Sequence, residues 1–244
     1  MSLAGSGFLG LYLIGAIEYL QSGFPDLFKR IAFAGSSAGA VIASALACHM
    51  PLESCRIAFL RAAAESQSSL VGPFHKSFSI QDHLRKGLES LPHDAHLRAS
   101  GNLFVSVTRV RDLSNEIVSE WTSREDLIET ILCSCFLPGF SGPHFPSLNG
   151  TFYMDGGFTN PQPIPLPRTL KISPFNNTAH ICPQKTLLYR GKSFDYWENS
   201  SIFRYYRSVI PSPPHAMMAF YAEGYEDAKS YVEYMSLRKS KKII

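Results

Sequence analysis

The chain has 244 residues, of which 45% are hydrophobic and 18% are charged, so it holds enough apolar material to bury one large core. This composition excludes an intrinsically disordered segment, a collagen-like chain and a bare coiled coil. The net charge of +3 is small, and basic residues are not interleaved with aromatic ones along one stretch, so we expect no nucleic-acid partner.

The first fifty residues predict two successive units of strand, glycine-containing turn and helix. Met1–Ala4 is a short apolar strand, Gly5–Gly7 is a loop, and Leu9–Leu20 has apolar residues at helical spacing. Ile31–Ala34 predicts a second buried strand. The helix over Ala38–Cys48 that follows is made mostly of small residues, which lets it lie close against a sheet.

The rest of the chain continues this alternation of strands and helices. Ser123, with Asp126 three residues later, predicts a capped helix start. The pattern predicts helices over Leu52–Ser69, Ile80–Leu91, Arg124–Cys135 and about His215–Leu237, and strands over Leu103–Val110, Glu116–Trp121, Thr151–Met154 and Leu170–Ser173. Such alternation indicates an α/β fold with parallel strands at the centre of its sheet.

Two uncharged stretches deserve a test against membrane and export signals. Met1–Ile17 has no basic residue before Lys29, unlike a signal peptide. Ile31–Leu52 is long enough to span a bilayer, but its glycines, serines and proline favour a strand, a turn and a buried helix. We therefore predict no transmembrane helix.

The five cysteines lack metal-ligand spacing, which predicts that the chain has no metal site and that its thiols are reduced, as in the cytoplasm. They are Cys48, Cys55, Cys133, Cys135 and Cys182.

The segment Gly35-Ser36-Ser37-Ala38-Gly39 fits the G-x-S-x-G pattern between a predicted strand and a predicted helix. In that context the pattern is typical of a nucleophile elbow, whose tight turn needs residues without bulk beside the serine. Ser37 would then lie at a helix N-terminus, where developing negative charge is stabilised. An ordinary Gly/Ser turn is the alternative.

The segment Gly5-Ser6-Gly7-Phe8-Leu9-Gly10 matches the dinucleotide-binding pattern G-x-G-x-x-G. That interpretation needs an acidic residue at the end of the second strand, whereas Asp26 lies before it. A glycine loop beside a nucleophile elbow can instead form an oxyanion hole with its backbone amides. A plain strand-to-helix turn remains the other alternative.

Asp155 ends a predicted strand and precedes Gly156 and Gly157, so its carboxylate projects either from a strand end or from a simple β-turn. An acyl-transfer serine usually needs a histidine base, and the order Ser37, Asp155 and His180 or His215 matches a Ser-Asp-His triad. None of the eight histidines lies in a recognisable catalytic setting.

Taken together, these motifs resemble the patatin-like phospholipase domain family, in the branch of adipose triglyceride lipase, adiponutrin and a short retinyl-ester-hydrolase-like member. The resemblance covers roughly residues 1 to 175. It rests on Ala4–Gly10 with Tyr12 and Gly15, Gly35–Ala40, Ser123–Ile128, Cys133–Pro138 and Asp155–Gly157, which occur in the family's order.

The resemblance implies a three-layer α/β fold with a mostly parallel central sheet and helices on both faces. It also implies a catalytic dyad of Ser37 and Asp155 without a histidine, no cofactor and no metal. The remaining implied site residues are Gly5, Ser6, Gly7 and Gly10 in the oxyanion hole, Gly35 and Gly39 in the nucleophile elbow, and Gly156 and Gly157 in the loop after the aspartate.

We therefore expect a lipase or phospholipase of lipid metabolism that cleaves fatty acyl esters, with a triacylglycerol, phospholipid or retinyl ester as substrate. The alternatives are a Ser-Asp-His esterase and a catalytically weak lipid-binding relative. Aromatic and aliphatic residues beside the motifs predict an apolar acyl groove: Phe8, Leu9, Leu11, Phe33, Phe136, Phe140 and Phe158.

The chain is expected to comprise an acyl hydrolase domain over 1–175 and a C-terminal extension over 176–244 with a basic tail. Residues 160–244 hold 12 Lys and Arg against 6 Asp and Glu, and the tail ends in Arg238-Lys239-Ser240-Lys241-Lys242-Ile243-Ile244. With aromatics such as Tyr221, Tyr225, Tyr231 and Tyr234 on the last helix, this predicts peripheral attachment to a membrane or lipid-droplet surface. A protein co-activator is a further implied partner.

Overall fold

The computed structural model describes residues 1–67, 72–75, 78–175, 178–183 and 200–240. Its strands form one mixed sheet in the order β5-β6-β3-β2-β1-β7, with β4 also paired to β3. The strands are β1 Ser2–Leu3, β2 Phe33–Ser36, β3 Leu103–Arg109, β4 Asn115–Val118, β5 Ser147–Leu148, β6 Thr151–Asp155 and β7 Lys171–Ile172.

The centre of the sheet is parallel, since β1 pairs in parallel with both β2 and β7, and β2 pairs in parallel with β3. β4 and β6 run antiparallel to β3, and β5 runs antiparallel to β6. The predicted parallel centre is confirmed. The predicted strands over Leu103–Val110 and Glu116–Trp121 correspond to β3 and β4, which form a hairpin with Val105 opposite Val118.

Helices follow most strands, as the sequence predicts. In the described residues they are supplemented by three short 3₁₀ turns, over Gly7–Leu9, Gly72–Phe74 and Gly156–Phe158. The α-helices are α1 Gly10–Gly23, α2 Pro25–Phe28, α3 Ala38–Ala47, α4 Leu52–Ser66, α5 Ile80–Leu88, α6 Ala95–Ala99, α7 Arg124–Ser134, α8 Ser201–Val209 and α9 Pro214–Ser240.

The start of α7 shows how local chemistry sets a boundary. The Ser123 hydroxyl accepts a hydrogen bond of 3.0 Å from the Asp126 backbone amide, as the spacing predicts. The Asp126 carboxylate accepts a further bond from the Thr122 amide. One of the four amides that lack a partner at the helix start is thereby satisfied, the chain before the cap is fixed by the second bond, and α7 begins at Arg124.

The last helix belongs to the same core as the first. Tyr12 on α1 is fully buried and donates a 2.6 Å hydrogen bond to Asp227 on α9. A Cβ at Gly15 would overlap with the Tyr221 carbonyl of α9, and one at Gly224 would overlap with the Tyr12 carbonyl of α1. The two helices therefore cross at backbone distance, which only glycine permits at these positions.

No helix within the described residues is long and apolar enough to cross a membrane. All five cysteines are free thiols, and each of them except Cys55 is buried.

Candidate active site

Ser37 lies at the sharp turn between β2 and α3. Its backbone has φ 53° and ψ −130°, a conformation that a residue with a side chain adopts only under strain. A Cβ at Gly35 would overlap with the Gly39 backbone, and a Cβ at Gly39 would overlap with the Leu3 carbonyl of β1. The turn thus has the steric character of a nucleophile elbow.

Ser134, the last residue of α7, holds this turn from the opposite side. The Ser37 amide donates a 2.9 Å hydrogen bond to the Ser134 hydroxyl, which itself donates a 2.8 Å bond to the Ser106 carbonyl of β3. The strained serine is therefore tied to the sheet through one side chain. The sequence indicates no such role for Ser134, because only the fold brings residues 37 and 134 together.

Sheet register brings Asp155 to the same point. Ser36 pairs with Ser106 on one side of β3, and Asp155 pairs with Val107 on the other. The Asp155 side chain accepts hydrogen bonds from the Gly157 amide at 2.7 Å, the Ser36 hydroxyl at 3.4 Å and the Ser37 side chain. Residues 118 positions apart in the chain are thus in direct contact.

Burial raises the pKa of Asp155 from 3.8 to about 6, while hydrogen bonds from Ser37, Gly157 and Ser36 partly oppose the rise. A carboxylate in this range is ionised at neutral pH and is basic enough to accept a proton. The Cys135 thiol also lies against Ser37, and its pKa is raised well above 9.0 by burial and by the charge of Asp155.

Some backbone amides of the glycine loop are hydrogen-bonded within the fold, and others are free. The Gly5 amide donates to the Pro161 carbonyl at 2.8 Å, and the Gly10 amide donates to the Gly7 carbonyl. Within the part of the chain that the structure describes, the amides of Ser6 and Gly7 have no hydrogen-bond acceptor. Of the four predicted oxyanion residues, only these two retain backbone donors for a ligand.

No histidine shifts the pKa of Asp155. His180 accepts a hydrogen bond from the Lys171 amide on β7 and packs against the Tyr231 ring. His215 lies exposed in the first turn of α9. His83 is half-buried and hydrogen-bonded to Glu65.

An apolar pocket opens beside Ser37 and encloses about 1060 Å³, a volume that includes its mouth. Its walls come from α3, α4, α5, the residues that follow α7, and the end of α8. Two of the predicted groove residues, Phe8 and Phe140, line it. The others do not, because Leu9, Leu11, Phe33 and Phe136 are buried elsewhere in the core and Phe158 is exposed.

Groups of three or more His, Cys, Asp or Glu residues that could hold a metal ion are absent from the described residues.

The comparisons with known proteins agree with this geometry. The model of the family described as patatin-like phospholipase matches residues 1–167. The structure is similar to VipD from Legionella pneumophila, with a TM-score of 0.51 and 14% identity, covering 95% of this chain and 66% of VipD. The family match and this similarity confirm the predicted three-layer α/β fold with a mostly parallel central sheet.

Several curated relatives align with nearly the whole chain. Mouse omega-hydroxyceramide transacylase is 35% identical over 95% of this chain and 40% of its own length. Human patatin-like phospholipase domain-containing protein 2 is 33% identical over 96% and 48%. Mouse 1-acylglycerol-3-phosphate O-acyltransferase Pnpla3 is 33% identical over 96% and 58%. The chain thus spans about half the length of these relatives.

Proposed function

The chain belongs to the patatin-like phospholipase family, and we propose that it is a lipid acyl hydrolase that cleaves fatty acyl esters through a dyad of Ser37 and Asp155. The observation that carries this proposal is the contact of a serine on a strained elbow with a buried carboxylate whose pKa is about 6. An apolar pocket begins at the same serine.

In the proposed reaction the Ser37 oxygen attacks the ester carbonyl while its proton passes to Asp155. The carbonyl oxygen becomes an oxyanion, for which the free amides of Ser6 and Gly7 are the available donors of the predicted loop. When the tetrahedral intermediate collapses, Asp155 returns the proton to the leaving alcohol and the acyl group stays on Ser37. Asp155 then takes a proton from water, which attacks the acyl-enzyme, and it returns this proton to the Ser37 oxygen as the fatty acid is released.

The test is the hydrolysis of triacylglycerol, phospholipid and retinyl ester by purified protein. Ser37→Ala and Asp155→Asn should each lower the rate by several orders of magnitude, and the double variant should be little slower than either, because dyad members act as a unit. Labelling by a fluorophosphonate should disappear with Ser37→Ala. It should persist with Ser54→Ala, which alters another serine of the same pocket.

Two outcomes would favour the alternatives. Near-normal turnover by Asp155→Asn contradicts the dyad. Lipid binding without Ser37-dependent turnover or labelling would indicate a catalytically weak lipid-binding relative.

Acyl transfer is a second candidate, because two relatives are named as a transacylase and an O-acyltransferase. The same acyl-enzyme would serve, with an alcohol in place of water as acceptor. Product analysis with a labelled acyl ester and an added lysophospholipid or diacylglycerol separates free fatty acid from a new ester. We propose hydrolysis as the main reaction. A new ester as the dominant product would show that acyl transfer is the main reaction instead.

We further propose peripheral attachment to a membrane or lipid-droplet surface. The basic tail supports it, although residues 241–244 lie outside the described part of the chain. The last helix supports it less than its sequence suggests, because Tyr221 bonds to Glu18 and Tyr225 packs against Tyr19, whereas Tyr234 is exposed. Co-sedimentation of the full chain and of a variant lacking residues 238–244 with anionic and neutral vesicles tests the role of the tail. Equal binding by the two proteins would exclude the tail from membrane attachment.

A further inference from the structure

Three helices form most of the pocket wall, and each of them contributes small residues to the lining. Ala38 and Ala45 face it from α3, Ala58 and Ala62 from α4, and Gly87 from α5. Large side chains at these positions would fill the space between the helices. The pocket is therefore open along the helices and not only at Ser37.

The ends of this space follow from the contacts of the helices. α3 begins directly after Ser37, and Ala45 lies seven residues further, about 10 Å along its axis. The first turn of α5 lies near the segment after α7 that contacts Ser37, because the Gln81 side chain donates a hydrogen bond to the Cys135 carbonyl. Gly87 lies six residues further, about 9 Å along α5. Gly87 thus faces the middle or far part of the pocket.

Gly87 meets α4 at Ala58. A Cβ built at Gly87 would have only the Ala58 Cβ within 4 Å, at 4.0 Å. Gly87 is half-buried, and its backbone is not left-handed, so packing and conformation do not require glycine there. Glycine in a helix interior lowers stability by about 1 kcal/mol relative to alanine. The missing side chain leaves space in the pocket at the expense of the helix.

We infer that one unbranched acyl chain runs from Ser37 along α3 and over the part of the pocket wall where α4 and α5 meet, and that Gly87 and Ala58 in this wall set how long this chain is allowed to be. The inference rests on the proposed function and adds the class of acyl group. A butanoyl group ends before it reaches Gly87 and Ala58. A lauroyl group extends past these two lining residues, and each methylene excluded from an apolar site lowers binding about fourfold.

The test compares hydrolysis of p-nitrophenyl butanoate and laurate by wild type and Gly87→Leu. The variant should keep the kcat/KM for butanoate within about twofold and lose at least tenfold for laurate, since several methylenes are excluded. Gly87→Leu should fold, because leucine favours a helix more than glycine does. Gly87→Ala should show a smaller change in the same direction, and Lys86→Leu, on the exposed side of α5, should leave the ratio unchanged.

Laurate binding by calorimetry tests the inference separately from turnover. Wild type should bind laurate, and Gly87→Leu should bind it at least tenfold more weakly. An unchanged laurate-to-butanoate ratio with Ser37-dependent turnover, or equal laurate binding by both proteins, would overturn the inference and leave the proposed function standing. Absent turnover together with weakened laurate binding in the variant would support the inference and contradict the hydrolase.

Discussion

Replacing Asp155 by asparagine should abolish ester hydrolysis and at the same time stabilise the fold at neutral pH. The carboxylate is 3% exposed, and burial raises its pKa from 3.8 to about 6. Each unit of pKa corresponds to 1.36 kcal/mol, so keeping Asp155 ionised in the folded protein above pH 6 costs about 3 kcal/mol. Asparagine has nearly the same shape, carries no charge, and retains an oxygen that can accept the Gly157 amide.

The sign of the pH dependence follows from the raised pKa. Between pH 3.8 and about 6 the folded protein binds the Asp155 proton more tightly than the unfolded chain does. The stability of the wild type therefore falls as the pH rises through this window, and the full cost is present above it. Asp155→Asn does not bear the cost of a buried charge. Its free energy of unfolding should therefore exceed that of the wild type by about 3 kcal/mol at pH 7.5 and by about half of that at pH 5.

Urea denaturation of wild type and Asp155→Asn at pH 5 and pH 7.5 measures the difference. Asp112→Asn is the matched control, because Asp112 is exposed and hydrogen bonds from Ser114 lower its pKa. The control should show no gain at neutral pH. An Asp155→Asn variant that is less stable than wild type at pH 7.5, or whose gain does not shrink at pH 5, would refute the argument.

Three further measurements test the site and the fold. The kcat/KM for an ester should fall as the pH drops through about 6, where Asp155 takes up a proton, and a flat profile down to pH 5 would contradict a carboxylate base. His180→Ala and His215→Ala should keep most activity; a loss near 10³-fold at unchanged stability would favour a triad. Gly224→Ala should lower the free energy of unfolding by about 1–3 kcal/mol, because its Cβ would overlap with the Tyr12 carbonyl of α1. Gly23→Ala is the control and should not lower it, since a Cβ there meets no atom within 4 Å.

The parts of the site that sequence predicts are those carried by local motifs. Ser37 needs a small-residue turn between a strand and a helix, and that requirement is written in five consecutive residues. Asp155 needs only a strand end followed by glycine. The contact between these two residues is different, since it depends on β2 and β6 both pairing with β3. The family resemblance predicts the dyad, whereas spacing alone leaves the triad and the β-turn open.

Features that depend on distant segments escape such reasoning. Residues 31–34 are predicted as a strand, but β2 spans Phe33–Ser36, because apolar character indicates burial and not pairing. α8 is missed because its buried side chain is Arg204, a charged residue that hydrophobic periodicity does not detect. The sequence also does not predict which amides of the glycine loop are free, since the Gly5 amide is bonded to the carbonyl of Pro161, a residue far along the chain.

The C-terminal helices complete the proposed active site. A Cβ at Gly7 would overlap with the Ser208 carbonyl, so α8 lies directly on the loop that carries the free amides. α8 is held in turn by Arg204, which is 2% exposed and bonds to the Pro174 carbonyl and to Glu223 of α9. The family model ends at residue 167, before these elements. The loop proposed to bind the oxyanion therefore takes its shape from the segment outside that match as well as from the segment within it.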